Sequence, residues 1–353
     1  MTLKDDLTAR IASNGPITVA AFMAEALLHP TKGYYTTRDP FGAKGDFVTA
    51  PEISQMFGEL VGLCLAQSWL DQGAPDSFTL AELGPGRGTL MADILRATQT
   101  VPGFHQAAEV FLIEASAVLQ NVQADTLARH PVTWLSSVEQ LPDAPLWLVA
   151  NEFFDALPIR QFQRAGSGWQ ERCVGLTDHN LRFGLTPPSP RTDLAHRLED
   201  TADGDLVETC PSAQTILSTL SARIASHGGA ALIIDYGDWR SLGDTLQAIQ
   251  GHSPVDPLAA PGTADLTAHV DFEALVTATA PAAHSRVTPQ GVFLERLGIT
   301  TRAQQLAQKL TGAALEEHIG AHRRLTHPEE MGNLFKVLGV FPATAAPPPG
   351  LME

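Results

Sequence analysis

The sequence predicts an α/β fold: a doubly wound sheet of the Rossmann type, preceded by a helical N-terminal region and interrupted by a small antiparallel β insertion. Short apolar runs alternate with stretches in which apolar residues recur at helical spacing, and these runs are 78–83, 110–113, 145–153 and 230–236. The first run passes directly into a helical pattern through three glycines at alternate positions, Gly84, Gly86 and Gly88. Such alternation is typical of parallel strands covered by helices on both faces.

The same patterns divide the chain into three segments. Residues 1–75 are expected to form a helical cap region, and residues 76–342 are expected to hold the sheet domain. Within that domain, alternating runs separated by Gly, Asp-His-Asn and Pro signals predict the β insertion at about 159–190. The last segment, 343–353, is rich in Pro and Ala and is expected to be a flexible tail.

Composition and charge exclude several classes of protein. The chain has 353 residues and a formal net charge of −16, whereas nucleic-acid binding needs a basic surface. No apolar stretch approaches the roughly 20 residues of a membrane span, and the N-terminus lacks the pattern of a signal or transit peptide. Cys64, Cys173 and Cys210 are too few and too scattered for a disulfide framework or a zinc cluster, so we expect a reducing cytoplasm. His318 and His322 lie four residues apart without a third ligand in the pattern, and no metal site is expected.

The glycine-rich turn predicts a ligand held against the main chain. Gly84, Gly86 and Gly88 leave backbone N–H groups uncovered at the positive end of the helix that follows. Glu82 would repel a dinucleotide pyrophosphate but attract a ligand with a cationic amino-acid end. S-adenosylmethionine carries an ammonium and a sulfonium and no phosphate, so it is the expected cofactor. A dinucleotide-dependent oxidoreductase is the alternative, opposed by Glu82 and by the lack of a glycine at the sixth position of the motif.

A second acid is expected to bind the ribose of the same ligand. Glu114 closes the apolar run 110–113, where nucleotide-binding folds carry a carboxylate that accepts the ribose hydroxyls. It lies slightly farther from the glycines than the roughly 20 residues usual for that acid. The alternative is a surface acid that merely ends a strand.

Three polar residues follow the next apolar run. Asn151, Glu152 and Asp155 come after residues 146–150, and ligands of open α/β sheets bind just beyond the carboxyl ends of strands. This strand should neighbour the glycine-motif strand, which would bring the three side chains over the methyl group of the cofactor. Two carboxylates and an amide are costly to bury without a cationic or hydrogen-bonding partner. The alternative is a helix-capping Asn followed by surface acids.

Further polar positions have weaker patterns. Asp46 precedes a Thr-x-x-Glu capping box at 49–52, and it either closes over the cofactor or is a turn aspartate. Asp235 and Tyr236 end a strand run on the same side of the sheet, where a simple sheet-edge turn is the alternative to a site. The polar stretch 265–271 precedes a helix and is either a cap or a loop at the substrate entrance.

Short motifs recur in order from residue 29 to residue 336, and together they are highly specific. They are His29-Pro30 with Gly33-Tyr34-Tyr35, Gly45-Asp46-Phe47-x-Thr49-Ala50-Pro51-Glu52, Glu82-Leu83-Gly84-Pro85-Gly86-x-Gly88, Asn151-Glu152-x-x-Asp155-Ala156-x-Pro158, Asp235-Tyr236-Gly237, Asp256-Pro257-Leu258, Asp265-Leu266-Thr267-Ala268-His269-Val270-Asp271-Phe272, Gln290-Gly291 and Met331-Gly332-x-x-Phe335-Lys336. In these motifs the chain resembles the MidA family, which includes a mitochondrial complex I assembly factor that acts as a protein arginine methyltransferase.

The resemblance implies a class I methyltransferase sheet, S-adenosylmethionine as the cofactor, and an arginine of a protein, such as a respiratory complex subunit, as the acceptor. It implies the mitochondrial matrix for eukaryotic members and the cytoplasm for a bacterial one. A guanidinium is always protonated and is a poor nucleophile. Glu152 and Asp155 are the candidates to grip two of its nitrogens and leave the third aimed at the methyl group. Asn151 would orient the methionine end or the acceptor, and Asp46 and Tyr236 are candidate substrate contacts.

Two other functions stay open from the sequence. A methyltransferase acting on a small molecule or on a different side chain would keep the cofactor site and change the acceptor pocket. A non-enzymatic assembly factor would hold the cofactor only for structure. An inert scaffold, however, has no need of two carboxylates beside the methyl group.

Overall fold

The computed structural model describes residues 1–37 and 48–352, so the candidate Asp46 lies outside the described residues. The first part of the chain is mostly helical and then alternates. Its elements are α1 (Leu3–Asn14), β1 (Ile17–Thr18), α2 (Val19–Leu28), α3 (Tyr34–Thr37), α4 (Ala50–Ile53), α5 (Gln55–Asp71), β2 (Phe78–Leu83), α6 (Thr89–Thr98), α7 (Phe104–Ala107), β3 (Ala108–Ile113), α8 (Ala117–Thr126), β4 (Val132–Leu135) and β5 (Leu146–Asn151).

The second part begins with antiparallel strands and returns to the main sheet. Its elements are β6 (Arg160–Ala165), β7 (Gly168–Thr177), β8 (Asn180–Leu185), β9 (Leu206–Thr209), α9 (Pro211–His227), β10 (Gly229–Asp238), β11 (Gln247–Gln250), β12 (Ser253–Val255), β13 (Asp265–Thr267), β14 (Val270–Asp271), α10 (Phe272–Thr277), β15 (Ala283–His284), β16 (Thr288–Pro289), α11 (Gln290–Arg296), α12 (Ile299–Ala307), α13 (Ala313–Thr326), α14 (Met331–Leu334) and β17 (Phe335–Phe341).

The main sheet is doubly wound, as the sequence predicts, but it is mixed instead of wholly parallel. Its order is β15-β17-β10-β5-β2-β3-β4, with β10, β5, β2, β3 and β4 parallel and β17 antiparallel to β10. Apolar side chains from alternate strand positions enter two separate cores. One core contains α5, α6 and α11, and the other contains α9 and α10, so helices cover both faces. The predicted fold class is confirmed.

The strand register brings the predicted site residues to one edge of the sheet. Leu83 of β2 pairs with Ile113 of β3 and with Ala150 of β5, and Asn151 pairs with Ile234 of β10. The residues that follow these strands therefore share the carboxyl edge, where ligands of open α/β sheets bind. The strand before Asn151 does neighbour the glycine-motif strand.

The β insertion is larger than predicted. Strands β6, β7 and β8 match the predicted alternating runs, but β9 at 206–209 and the N-terminal β1 join the same sheet, in the order β1-β7-β6-β9 with β8 on β7. Helices α1 and α2 pack against β7, and they share a core with β13. The N-terminal helices and the insertion therefore form one accessory layer above the carboxyl edge.

Three local expectations are wrong. The boundary at residue 75 does not follow the packing, because α5 lies against α6 and belongs to the core of the main sheet. The segment 343–352 is packed rather than frayed: Leu351 is 7% exposed, and the Met352 carbonyl accepts a hydrogen bond from the Arg286 N–H at 2.8 Å. Neither half of the expected capping box forms at α4: Thr49 makes no side-chain cap, and the Glu52 carboxylate accepts a hydrogen bond from Thr89 Oγ1 at 2.5 Å.

Candidate active site

Among the described residues, three cavities meet at Glu152. The glycine-turn cavity is lined by Glu82, Gly84, Gly86, Arg87, Thr49, Glu52 and Asn151 among others. The apolar cavity, about 140 Å³, is lined by Leu27, Leu28, Tyr35, Ile113, Glu114, Leu119 and Phe153, and it also touches Gly84 and Gly86. The acidic cleft, about 380 Å³, is lined by Tyr35, Thr49, Asp155, Tyr236, Asp265, Thr267, His269 and Phe335 among others. Glu152 lines all three.

The glycine turn has the geometry that its sequence demands. Gly84, Gly86 and Gly88 have φ values of +59°, +52° and +81°, a region that favours glycine. A Cβ on Gly84 would lie 2.9 Å from the Cδ2 atom of Phe153. Gly88 is the N-cap of α6, so the positive end of this helix faces the glycine-turn cavity.

Glu82 is buried beneath that turn. It is 3% exposed, and its Oε2 atom has no hydrogen-bond partner among the described residues. Burial raises the pKa of Glu82 to about 8, the nearby Glu114 charge adds to the rise, and the main-chain N–H of Met91 opposes it. A buried carboxyl group with an unpaired oxygen is costly unless a ligand supplies a hydrogen bond or a positive charge.

Glu114 faces the apolar cavity from the end of β3. The side chain is 8% exposed, so it is not the surface acid of the alternative interpretation. Its Oε1 atom accepts a hydrogen bond from the Ser116 N–H at 2.7 Å, and its Oε2 atom accepts one from Gln123 Nε2 at 3.0 Å. Burial raises the pKa of Glu114. These bonds fix the carboxylate at the cavity wall.

The end of β5 and the turn that follows it put Asn151, Glu152 and Asp155 at the junction of the cavities. Glu152 has φ +52°, which is rare for a residue with a side chain and is typical of functional sites. Its Oε1 atom accepts hydrogen bonds from the Ala50 N–H and from Asn151 Nδ2, both at 3.1 Å. Asn151 Oδ1 and Asp155 Oδ1 are buried and have no hydrogen-bond partner in the described parts of the chain. This part of the chain therefore presents two buried oxygen atoms that a bound ligand could satisfy with hydrogen-bond donors.

Asp235 holds this turn from behind. Its side chain is fully buried, three residues before the end of β10. Its Oδ2 atom accepts hydrogen bonds from the main-chain N–H groups of Phe153, Phe154 and Asp155 at 3.2, 2.9 and 3.2 Å. The sheet-edge interpretation of this motif missed that role, although the signal was the same as for Glu82: an apolar run that closes on a carboxylate.

The acidic cleft lies between the sheet and the accessory layer. Asp155 and Tyr236 come from the sheet, whereas Tyr35 and Asp265 come from the accessory side. The Tyr35 hydroxyl donates a hydrogen bond to Asp265 Oδ1 at 2.7 Å. Burial and the Asp155 charge raise the pKa of Tyr236 well above its ordinary value, so this phenol stays neutral.

The two carboxyl groups of the turn have pKa values near neutrality. Burial, and then the charge of Asp155, raise the pKa of Glu152 to about 7, while the charge of Arg324 works in the opposite direction. Burial raises the pKa of Asp155 to about 6. A cation bound between them would favour the ionised forms of both.

Some of the remaining candidate residues stabilise local structure, and others line the acidic cleft. Asp271 caps α10 through the Ala274 N–H at 2.9 Å, so the cap expected in the stretch 265–271 is confirmed. Asp265 lies in β13 instead of a loop, and it lines the acidic cleft. His318 Nε2 contacts the Ala303 carbonyl at 3.0 Å, and His322 Nε2 contacts Thr300 Oγ1 at 3.0 Å. In the described ranges, no helix combines the length and the apolar character that a bilayer span requires.

The fold and the site together define the class of protein. Backbone N–H groups bared by glycines, an unpaired buried carboxylate at Glu82, and a carboxylate at the end of β3 suit a ligand with an ammonium group and a ribose and no phosphate. S-adenosylmethionine has these groups. The chain is an S-adenosylmethionine-dependent methyltransferase.

Comparison with known proteins gives the family. The family model described as "Putative S-adenosyl-L-methionine-dependent methyltransferase" matches residues 60–290, and the chain belongs to this family. It is 39% identical to the protein arginine methyltransferase NDUFAF7, mitochondrial, of Mus musculus, over 95% of this chain and 83% of the relative. The Homo sapiens protein of the same name is 38% identical over 95% of this chain and 82% of its own.

A solved structure is similar over the whole fold. A COG1565 superfamily member from Burkholderia thailandensis, bound to S-adenosyl-homocysteine, superposes with a TM-score of 0.83 at 31% identity. The match covers 96% of this chain and 91% of that protein. The eukaryotic relatives are mitochondrial by name, and the Drosophila melanogaster homolog is 35% identical over 98% of this chain and 86% of its own.

Proposed function

We propose that this methyltransferase acts on arginine side chains of a protein substrate, and that Glu152 and Asp155 hold the guanidinium. One observation carries the proposal: the half-buried Glu152 and the buried Asp155 belong to one turn and both line the acidic cleft, and Glu152 also lines the two cavities assigned to the cofactor. Asp155 Oδ1 lacks a partner in the described chain, as expected of an atom that awaits a donor. The names of the relatives, protein arginine methyltransferases, support the same acceptor.

A guanidinium suits this site better than an ammonium does. It is planar and offers several N–H donors in a fixed geometry, so it can span two carboxylates, whereas a lysine ammonium is a compact point charge. Two carboxylates on two nitrogens draw positive charge away from the third nitrogen. The third nitrogen then has the lone pair that attacks a methyl group.

The residues of the two cofactor cavities divide the work of holding S-adenosylmethionine. Glu82 would pair with the ammonium, the N–H groups bared by Gly84, Gly86 and Gly88 would face the ligand, and Glu114 would accept the ribose hydroxyls. Among the described residues that line the glycine-turn cavity, Arg87 is the cationic one, and it suits the ligand carboxylate. Asn151 Oδ1, buried and without a partner in the described chain, would orient the methionine end. When bound, the cofactor supplies an electrophilic methyl group on a sulfonium.

The catalytic contribution of the chain is orientation and proton acceptance. Orientation of two reactants in one site can supply much of the rate enhancement. Burial brings the pKa values of Glu152 and Asp155 to about 7 and about 6, which suits a group that must take a proton from the guanidinium near neutral pH. Tyr236, with its neutral phenol, would form a wall of the acceptor site.

The partner and the compartment are part of the same proposal. An acidic cleft and a net charge of −16 favour a basic protein segment with an exposed arginine, such as one on a respiratory complex subunit. The cysteines Cys64, Cys173 and Cys210 are free, which agrees with a reducing cytoplasm.

A labelling experiment tests the acceptor. The purified protein is incubated with S-adenosylmethionine that carries a radiolabelled methyl group and with a lysate of its own organism, and labelled proteins are hydrolysed to amino acids. We expect the label in methylarginine, and we expect none with Glu152→Gln. Label on another amino acid or in the small-molecule fraction would contradict the arginine acceptor. Binding of S-adenosylhomocysteine without any labelling would instead favour the scaffold.

A further inference from the structure

Tyr35 lies between the cofactor site and the acceptor cleft. It comes from α3 in the accessory layer and lines the apolar cavity together with Glu114. It also lines the acidic cleft together with Asp155. A single side chain from outside the sheet therefore touches both ligand sites.

Toward the cofactor site, Tyr35 is tied to the loop that carries Glu114. The Ser116 N–H donates to Glu114 Oε1 at 2.7 Å, and Ser116 Oγ donates to the Tyr35 carbonyl at 2.6 Å. A ligand that engages Glu114 restricts this loop. Through Ser116, the restriction reaches the main chain of Tyr35.

Toward the acceptor cleft, Tyr35 is tied to β13. Its hydroxyl donates to Asp265 Oδ1 at 2.7 Å, and Asp265 is the first residue of that strand. Just after the strand, the Ala268 N–H donates to the Asp155 carbonyl at 2.9 Å. The hydrogen bonds thus run without a break from Glu114, through Ser116 and Tyr35, to the strand that abuts Asp155.

We propose that Tyr35 is a positioning residue that couples the two sites, so that cofactor binding at Glu114 orders β13 and prepares the acceptor cleft. The inference rests on the proposed function, which assigns Glu114 to the ribose and Asp155 to the acceptor. Ordering by the first ligand reduces the entropy that the second ligand must lose, and the coupling is reciprocal. The enzyme would therefore bind its acceptor more tightly once the cofactor is in place.

Hydrogen exchange tests the coupling without any acceptor. Amide exchange of the segment 265–268 is measured by mass spectrometry with and without saturating S-adenosylhomocysteine. In the native protein we expect the ligand to slow exchange there. Tyr35→Phe, which deletes only the hydroxyl that reaches Asp265, should still bind the ligand and lose this protection. Tyr34→Phe is the matched control, because the same atom is deleted one residue away on a buried side chain that lines neither cavity.

Ser116→Ala removes the hydrogen bond from Ser116 Oγ to the Tyr35 carbonyl, and it should also abolish the protection of 265–268. This variant tests the proposal if Tyr35→Phe does not fold. Equal protection of 265–268 in Tyr35→Phe and the native protein would overturn the proposal, and so would the absence of protection in the native protein. Loss of all ligand binding in Tyr35→Phe would make Tyr35 a cofactor ligand instead of a coupling residue. Failure of the arginine assignment would appear in the labelling experiment and leave the exchange result unchanged.

Discussion

Asp235 fixes the main chain at Asp155: its Oδ2 atom accepts a hydrogen bond from the Asp155 N–H at 3.2 Å. The same atom also accepts the N–H groups of Phe153 and Phe154. A fully buried carboxyl group near the carboxyl end of β10 thus shapes the turn that carries Glu152 and Asp155. Since Asp155 Oδ1 and the Glu152 carboxylate depend on this turn for their positions, the geometry of the cleft depends on a residue that does not line it.

Asp235→Asn should therefore disturb both stability and turnover. The amide offers one acceptor oxygen in place of two, and its NH₂ group opposes the N–H donors of the turn. We expect a loss of about 1–3 kcal/mol in the free energy of unfolding, measured by chemical denaturation, and slower methyl transfer. Asp238→Asn, at the exposed end of the same strand, is the control and should change neither. Native turnover in Asp235→Asn would show that the turn keeps its conformation without the Asp235 carboxylate.

Gly84→Ala should abolish cofactor binding while the fold is kept. Gly84 and Gly166 both have φ +59°, so alanine strains each backbone alike, by about 1–2 kcal/mol. The new Cβ at Gly84 meets Phe153 beside both cofactor cavities, whereas a Cβ at Gly166 has no atom within 4 Å among the described residues. Calorimetry with S-adenosylhomocysteine should show loss of binding for Gly84→Ala alone. Equal affinities of the two variants for S-adenosylhomocysteine would show that the glycine turn does not contact the cofactor.

Cofactor binding at pH 7 should release a proton from Glu82. Burial raises its pKa to about 8, so this carboxyl group is mostly protonated in the free protein at pH 7. Pairing with the ligand ammonium favours the carboxylate, which expels the proton. Calorimetry in two buffers of different ionisation enthalpy should reveal the release, and Glu82→Gln should abolish it and weaken binding. A binding enthalpy that does not depend on the buffer would contradict the pairing.

Arg87→Ala should weaken the binding of the amino-acid end of the ligand and leave the binding of the nucleoside end unchanged. If its guanidinium holds the carboxylate, we expect S-adenosylhomocysteine to bind at least about tenfold more weakly. The affinity for 5′-methylthioadenosine, which lacks the amino-acid end, should stay unchanged. Glu114→Ala is the complement, because loss of the ribose partner should weaken both ligands. Equal losses for both ligands in Arg87→Ala would assign Arg87 to another part of the site.

Methyl transfer should rise with pH as Glu152 and Asp155 ionise. Their pKa values, about 7 and about 6, are raised by burial, so both groups are protonated in acid and become able to hold a guanidinium as the pH rises. We expect kcat/KM to increase from about pH 5 and to level off near about pH 8. Glu152→Gln and Asp155→Asn should each lower transfer at least about 100-fold while the affinity for S-adenosylhomocysteine stays nearly native. Native rates of methyl transfer in both variants would show that the acceptor binds elsewhere in the protein.

Local sequence predicts the backbone around the glycine turn well. The turn from β2 into α6 follows from an apolar run, three glycines and a helical repeat, all within residues 78–98. The burial of Glu114 and the position of Asn151 then follow from the rule that parallel strands end at one edge. The errors occur where a partner lies far away in the chain. Glu52, assigned to a local cap, binds Thr89 instead, and the frayed tail is in fact packed.

By itself, the sequence determined the strands β2, β3, β5 and β10, the glycine turn and the acids at the strand ends, because these depend on periodicity and on backbone conformation within a few residues. Only the tertiary structure decided the acidic cleft. Tyr35 reaches Asp265 across 230 residues, and the Ala50 N–H reaches Glu152 across 102. The pKa values of Glu152 and Asp155 likewise depend on burial by both layers. Contacts between distant segments and the removal of water arise when those layers pack together, and no local pattern contains them.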